Sequence, residues 1–157
     1  LGARHFSIST AGITEGIRKL AEEKLQINLA ISLHAPDDEL RLKLMPINKK
    51  YPIGKILSAV DGYIRKTRRR VMFEYIMIKD INDSDDCARQ LVKIMERPLC
   101  FVNLISYNPT GVFCASPPAR IKKFKEILEK AGVAVTQRYR LGEDIKGACG
   151  QLAAKEQ

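Results

Sequence analysis

The sequence is poor in the residues from which metal sites and disulfide frameworks are built. Its 157 residues include two histidines, four cysteines and no tryptophan. The cysteines are Cys87, Cys100, Cys114 and Cys149, and their spacing matches neither a zinc-binding pattern nor a dense disulfide framework. We therefore expect no metal site built by this chain alone and a reducing, cytoplasmic setting.

The sequence also lacks segments that direct a protein to or across a membrane. No run approaches the roughly 18 apolar residues that a membrane-spanning helix needs. The first ten residues, L-G-A-R-H-F-S-I-S-T, contain no apolar core of a signal peptide and no initiating methionine. We therefore expect Leu1 to be an internal position of a longer protein. The length and a hydrophobic content of 45% suit a globular domain with a sizeable core.

Acidic residues are outnumbered by basic ones, 18 against 27, which gives a formal net charge of +9. Such an excess favours polyanionic partners, because basic side chains replace the counterions on nucleic-acid phosphates. The candidates for phosphate contacts are Lys66 to Arg70 and the group of Lys122, Lys123 and Lys125. Charge runs are usually solvated surfaces, so a basic protein without an RNA contact at these positions remains an open interpretation.

Two hydrophobic patterns alternate along the chain. Five β-prone runs begin near residues 4, 27, 71, 101 and 133, and several are almost continuously apolar, as in strands buried on both faces. Between them, apolar residues recur at helical spacing, as in residues 53–64 and 121–131, and Ser84 is placed to cap a further helix. A short extra helix is expected after Pro36. The order βαβαβαβαβ predicts an α/β fold with a mostly parallel sheet.

Polar residues follow the predicted strands at their carboxyl ends. The segments are S-T-A-G (Ser9 to Gly12), S-L-H (Ser32 to His34), K-D-I-N-D (Lys79 to Asp83) and Y-N-P (Tyr107 to Pro109). Loops are polar in general, but ligands of parallel α/β sheets and barrels bind at this edge. The recurrence at four strand ends therefore predicts a site there.

Six segments, in this order, resemble the radical S-adenosylmethionine RNA methyltransferases that methylate adenine. They are S-T-A-G, A-I-S-L-H-A-P, M-P-I-N-K-K-Y, F-E-Y, N-L-I-S-Y-N-P and D-I-K-G-A-C-G-Q-L. The resemblance covers nearly the whole chain and is greatest to the enzymes that methylate C2 of adenine in 23S ribosomal RNA and transfer RNA. It implies that the chain is the C-terminal half of a partial (β/α) radical S-adenosylmethionine barrel.

The resemblance also implies residue roles. The positions that match contacts to S-adenosylmethionine are Ser9, Ser32, Leu33, His34 and Asn108, and Cys149 matches the cysteine that carries the methyl group. The small neighbours Gly147, Ala148 and Gly150 leave the sulfur of Cys149 accessible. Without the resemblance, Cys149 is interpreted as an ordinary cysteine of a tail. For His34, two histidines without a ligand cluster favour a polar cofactor contact over a metal ligand or a base.

The chemistry implied by the resemblance explains a cysteine in that position. Adenine C2 is not nucleophilic enough for ordinary methyl transfer. In the family, one S-adenosylmethionine methylates the cysteine, and a second is cleaved to a 5′-deoxyadenosyl radical that removes hydrogen from the S-methyl group. The methylene radical adds to the adenine, and a disulfide with a second cysteine helps to release the product. A thiolate suits the methyl-accepting step.

Parts of the family pattern are absent from this sequence. No C-x-x-x-C-x-x-C motif for a [4Fe–4S] cluster occurs, and neither the upstream glycine-glutamate segment nor the second cysteine can be identified. We therefore expect residues 1–142 to be the C-terminal part of the barrel and residues 143–157 to be a tail with the methyl-carrying cysteine. The missing N-terminal half would be a partner, and the chain alone is expected to bind no cluster and methylate no RNA.

Several alternatives stay open at this point. Glu74 interrupts an apolar strand, where it is expected either to face the cofactor or to pair with an arginine. An adenine C8-methyltransferase relative shares these motifs, and a free-standing RNA-binding domain without the chemistry also fits the charge. The sequence alone gives neither the preferred RNA nor the oligomeric state, nor whether the piece is natural.

Overall fold

The computed structural model describes residues 2, 5–108 and 110–138, and it contains alternating strands and helices. The strands are β1 (Ser7–Thr10), β2 (Asn28–Ser32), β3 (Val71–Met77), β4 (Cys100–Ser106) and β5 (Val135–Arg138). The helices are α1 (Thr14–Glu22), α2 (Asp38–Leu44), α3 (Ile53–Thr67), α4 (Asp85–Ile94) and α5 (Pro118–Lys130), with a 3-10 helix at Pro46–Lys49. The predicted order is confirmed, including the short helix after Pro36, which is α2. The predicted boundary after residue 142 and the position of Cys149 lie outside the described residues.

All five strands are parallel and lie in the order β1-β2-β3-β4-β5. Because right-handed crossovers between successive neighbours always turn the same way, this order puts the helices on one face of the sheet. Along β3, Val71, Phe73, Tyr75 and Met77 are buried in the core with residues of the helices. The alternating residues, including Glu74, lie on the opposite face, which we call the open face.

Side chains cap the starts of two helices, α2 and α4. The side chain of Ser84 accepts a hydrogen bond from the Cys87 amide at 3.1 Å, which confirms the predicted cap of α4. The side chain of Asp37 accepts from the Leu40 amide at 2.8 Å and caps α2. Such caps satisfy amides that have no partner within the helix. They fix where α2 and α4 begin, just beyond the ends of β2 and β3.

Strand β1 forms one edge of the sheet and is largely exposed. Its residue Ile8 is 44% exposed, and the nearby Phe6 and Ile13 are 56% and 44% exposed. A groove of about 420 Å³ runs between β1 and α1 and is lined by Ile8, Ile17 and Leu20 among others. Within the part of the chain that the structure describes, this apolar edge has no further strand beside it. No helix in that part has the length and apolar character to span a membrane.

Candidate cofactor site at the carboxyl edge of the sheet

Three side chains meet on the open face where β1 and β2 end. The Ser9 hydroxyl donates to a carboxylate oxygen of Glu74 at 2.7 Å, and the Ser32 hydroxyl donates to the same oxygen at 3.4 Å. The two hydroxyls are 3.5 Å apart. Ser32 and Glu74 are register partners in β2 and β3, so parallel pairing itself brings them together. The predicted positions Ser9 and Ser32 therefore belong to one cluster.

His34 is held in an unusual backbone conformation at the same edge. Its φ is 60°, in the left-handed region that costs a residue with a side chain about 1–3 kcal/mol. The backbone oxygen of Glu74 accepts from the amides of both Leu33 and His34, at 3.1 and 3.3 Å. The main chain of β3 thus fixes the segment that follows β2.

The imidazole of His34 is fixed in one tautomer. Its Nδ1 accepts a hydrogen bond from the Ile76 amide at 3.2 Å, so the proton of the neutral ring is on Nε2. Burial, together with the positive charge of Arg41, lowers the pKa of His34 to about 4. None of the described residues accepts a hydrogen bond from Nε2. At neutral pH, His34 therefore has an uncharged Nε2–H group that no described residue uses as a donor.

The shifted pKa of His34 predicts a loss of stability in mild acid. Since the pKa is lower in the folded state, the unfolded chain binds the extra proton, and stability falls as the pH drops from about 6.5 towards 4. At pH 4.5 the protonation of this histidine lowers the free energy of unfolding by about 2 kcal/mol relative to pH 7. The His34→Asn variant keeps an acceptor near the Nδ1 position, and asparagine tolerates positive φ. Its free energy of unfolding, measured with urea, should therefore not show this fall between pH 7 and pH 4.5.

The other histidine provides the control for that measurement. His5 is exposed, so the His5→Asn variant should keep the pH dependence of the parent chain. A parent and a His34→Asn variant with the same pH dependence between 7 and 4.5 would show that His34 is not held neutral by the fold.

Arg41 is fully buried next to the carboxyl ends of β1 and β2, the strands that contain Ser9 and Ser32. All five of its N–H groups have acceptors. Nε donates to Leu33 O at 3.1 Å, Nη1 to Asn48 Oδ1 and Tyr51 O at 2.7 and 3.2 Å, and Nη2 to Ala11 O and Ser32 O at 2.7 and 3.0 Å. One guanidinium thus joins the carboxyl ends of β1 and β2 to the segment that includes the 3-10 helix.

Asn82 is a second buried side chain that joins the loops of this edge. Its Nδ2 donates to His34 O at 2.8 Å and Ile76 O at 2.6 Å, and its Oδ1 accepts from the Ile78 amide at 2.8 Å. The hydroxyl of Tyr75 donates to the backbone oxygen of Asn82 at 2.7 Å. The left-handed turn at His34 is therefore supported from the loop after β3.

Glycine is required in the S-T-A-G segment for two reasons. Gly12 has a φ of 101°, and a Cβ atom there would lie 2.4 Å from Cδ1 of Ile56. The Thr10 hydroxyl accepts from the amides of Gly12 and Ile13, both at 3.2 Å. The tight turn after β1 follows from this local chemistry.

The remaining predicted site residues behave differently. The side chain of Leu33 is fully buried in the core, so only its main chain lies near the cluster. Asn108 lies two residues beyond β4 at the same edge, and in the described part no hydrogen bond joins it to Ser9, Ser32 or His34. Cys149 lies outside the described residues, so its place relative to the cluster remains a prediction.

The described cysteines carry no sign of redox or metal chemistry. Cys87, Cys100 and Cys114 are free thiols, and burial raises the pKa of Cys100 to about 11. Residues 2, 5–108 and 110–138 contain no group of three or more histidine, cysteine, aspartate or glutamate side chains able to hold a metal ion. The described residues therefore do not fit an iron–sulfur cluster.

The basic segments lie at two different ends of the molecule. The segment from Lys66 to Arg70 runs from the last residues of α3 to the residue before β3. It lies at the amino ends of the strands, whereas the serine cluster lies towards their carboxyl ends. In it, Lys66 pairs with Glu22, Arg69 donates to Asn28 at 3.0 Å, and Arg70 lies 4.5 Å from the centre of the Phe101 ring. On α5, Lys123 pairs with Asp85 and Lys125 with Glu129, whereas Lys122 is exposed. An RNA contact at either segment remains a prediction.

Sequence reasoning left one of these features open and missed another. Glu74 lies on the open face and makes no ion pair among the described residues, so its pairing with an arginine and its contact with the cofactor both remain predictions. Arg41 had been given no role. It lies in a short amphipathic helix with the exposed residues Lys43 and Leu42 nearby, and no local pattern distinguishes a buried arginine from an exposed one.

Known proteins similar to this chain were found by sequence and by structure, although no protein-family model matches. The chain is 52% identical to a probable dual-specificity RNA methyltransferase RlmN of Caldicellulosiruptor saccharolyticus, over 99% of the chain and 46% of that protein. It is 50% identical to the protein of the same name in Natranaerobius thermophilus, over 99% of the chain and 45% of the relative. The chain thus spans about half the length of the curated relatives it matches.

Solved structures agree with these relatives. A radical SAM methyltransferase from Sphaerobacter thermophilus superposes with a TM-score of 0.93 at 46% identity, covering 96% of this chain and 45% of that one. A domain of a pyruvate-formate lyase-activating enzyme from Bacteroides vulgatus superposes with a TM-score of 0.66 at 14% identity, over 85% of this chain and 80% of that one. The second match shows a shared fold only.

Proposed function

Since this chain belongs to the family of radical S-adenosylmethionine methyltransferases, we propose that it is the cofactor-facing C-terminal half of an RNA methyltransferase. Its substrates would be 23S ribosomal RNA and transfer RNA, and its product adenine methylated at C2. The observation that carries the proposal is the meeting of Ser9, Ser32 and the His34 segment at the carboxyl edge of a parallel sheet. The names of the relatives supply the substrate class.

The polar groups at this edge suit S-adenosylmethionine. The cofactor carries ribose hydroxyls, ring nitrogens, an amino group and a positively charged sulfur. Ser9 and Ser32 offer hydroxyl groups, and His34 offers a neutral Nε2–H at a fixed position. Because Arg41 and Asn82 hold the surrounding loops, these donors need little rearrangement to receive a ligand. Asn108 would contribute from the loop after β4. When bound, the cofactor supplies methyl groups and radical chemistry.

We assign the methyl-carrying role to Cys149. The Cys149 thiolate would accept the methyl group that bound S-adenosylmethionine supplies. A bond from the cysteine sulfur to the methyl carbon would form as the bond from that carbon to the sulfonium breaks, and the electron pair of the broken bond would stay on the sulfur of the departing S-adenosylhomocysteine. The nearby Gly147 and Gly150 of the sequence would let this cysteine come close to both the cofactor and the RNA base.

The [4Fe–4S] cluster is proposed to belong to the remaining half of the protein. The described residues do not fit such a cluster, and the chain spans 46% of its relative's length. We propose that the N-terminal half lies against β1, where Phe6, Ile8 and the groove beside α1 are exposed. An unpaired strand edge of this kind is suited to receive another strand.

The RNA would reach the site as an unstacked base. Enzymes that act on a base inside a helix must extrude it at a cost of roughly a few kcal/mol, and RNA loops lower that cost. Basic groups, including Lys122 and the Lys66 to Arg70 segment, would attract phosphates. The Lys66 to Arg70 segment lies at the amino ends of the strands, and the proposed cofactor site lies at their carboxyl ends. This segment would therefore contact RNA away from the reacting adenine. We assign the protein to the cytoplasm, where these RNAs are found.

The test is an anaerobic methylation assay with the complete reading frame that contains this chain. We expect RNA incubated with the reconstituted protein and S-adenosylmethionine to contain 2-methyladenosine, measured by mass spectrometry of the nucleosides. Formation of 8-methyladenosine would select the related C8 activity. Salt-sensitive RNA binding without any methylated adenosine would select the RNA-binding domain.

A further inference from the structure

Glu74 is a carboxylate in the middle of an otherwise apolar strand. It lies on the open face of β3, level with the end of β2, because its register partner is Ser32. A carboxylate in a half-buried position costs free energy unless hydrogen bonds or a positive charge compensate it. Its neighbours on β3, Phe73 and Tyr75, are fully buried on the other face.

The hydrogen bonds of Glu74 are incomplete. Both serine hydroxyls donate to Oε2, at 2.7 Å from Ser9 and 3.4 Å from Ser32. Among the described residues nothing donates to Oε1, and no arginine, lysine or histidine pairs with the carboxylate. Because an ionised carboxylate has about four acceptor positions, Oε1 of Glu74 has acceptor capacity that none of the described residues uses.

This acceptor is one of two kinds of polar group at the site. Ser9 and Ser32 give their hydroxyl hydrogens to Oε2, Nε2–H of His34 offers a hydrogen, and Glu74 Oε1 offers lone pairs. A ligand that is only an anion would be repelled by the carboxylate. A ligand that presents its own donors is favoured, and hydrogen bonds to an ionised acceptor are the stronger kind.

We propose that Glu74 is a cofactor-binding residue that accepts a hydrogen bond from a donor group of S-adenosylmethionine. This inference rests on the proposed function. It assigns Glu74 a direct contact, and it places Ser9 and Ser32 as the residues that hold the carboxylate in position when the site is empty.

The test measures binding by calorimetry on the complete, anaerobically reconstituted protein. We expect Glu74→Gln to weaken binding of S-adenosylmethionine about tenfold or more, since a charged acceptor is replaced by a neutral one. S-adenosylhomocysteine keeps the hydroxyl and amino donors, so Glu74→Gln should weaken its binding by a similar factor. The exposed residue Glu39 on α2 provides the control, and Glu39→Gln should bind both molecules like the parent.

A double-mutant cycle separates direct contact from an effect through Ser9. If Glu74 contacts the cofactor, Glu74→Gln should still weaken binding in a Ser9→Ala background. An unchanged affinity in Glu74→Gln, or a loss that disappears in that background, would overturn the inference. A loss confined to S-adenosylmethionine would do so too, because it would indicate charge attraction to the sulfonium without a shared hydrogen bond. A parent protein that binds neither molecule would overturn the proposed function and this inference together.

Discussion

Replacing Arg41 by methionine should lower the free energy of unfolding by about 3–5 kcal/mol, because several buried acceptors lose their donor at a cost of about 1–3 kcal/mol each, partly offset by rearrangement. The substitution removes five hydrogen bonds and leaves four backbone oxygens and Asn48 Oδ1 without their donor. Asp38, whose Oδ1 accepts from Asn48 at 3.0 Å and from the Ile53 amide at 2.8 Å, would also lose its nearby positive charge. Urea unfolding followed by circular dichroism measures the change.

The same helix provides a matched control. Lys43 is two residues away, and its ion pair with Glu39 joins two largely exposed side chains. We expect Lys43→Met to change stability by no more than about 0.5 kcal/mol, as is usual for exposed pairs. The stability of Arg41→Lys should lie between those of Arg41→Met and Lys43→Met. The ammonium group has three donors and cannot reproduce the five planar donors of the guanidinium. Equal stabilities of Arg41→Met and Lys43→Met would refute the structural role of Arg41.

Replacing Cys149 by alanine should abolish formation of methylated adenosine by the complete protein, a loss of at least about 10³-fold for removal of a nucleophile. No other group takes its place in the proposed chemistry, because the methyl group must pass through this sulfur. The assay is the same anaerobic methylation with mass spectrometry of the nucleosides.

Cys114 provides the comparison for that variant. It is an exposed free thiol after β4, so Cys114→Ala tests whether the loss of any accessible cysteine impairs the protein. We expect it to retain activity near that of the parent. An active Cys149→Ala variant would exclude the methyl-carrying role. An inactive Cys114→Ala variant would show that removing an accessible cysteine impairs the protein in general, so that the loss in Cys149→Ala could not be assigned to methyl transfer.

The sheet could be predicted because its signals are local. Almost continuously apolar runs such as residues 71–78, interrupted only by Glu74, indicate strands covered on at least one face, and the capping residue Ser84 marks where a helix begins. Strict alternation of strand and helix then leaves few topologies, since parallel crossovers are right-handed. The 3-10 helix at Pro46–Lys49 was not predicted, because a single short turn has no periodicity to detect.

The site was predictable only in part because its contacts are not local. The polar residues at the strand ends predicted a site at the carboxyl edge, and Ser9 and Ser32 meet there, although cofactor binding at this edge remains a proposal. The connections made by Arg41 join residues 30 positions apart, from Ala11 to Arg41. The position of Glu74 on the open face depends on the pairing register of β3 with β2. Spacing along the chain indicates the face on which Glu74 lies, through strand alternation, but neither its pairing with Ser32 nor the contacts of Arg41.

The most direct test of the central claim is the mass of the peptide that contains Cys149. The complete reading frame should be expressed with iron and S-adenosylmethionine supplied, purified anaerobically and digested. We predict that this peptide carries one methyl group on Cys149 and that the peptides of Cys87, Cys100 and Cys114 carry none. An unmodified Cys149, in a protein with its cluster intact and the cofactor present, would contradict the methyl-carrier mechanism and favour the RNA-binding domain.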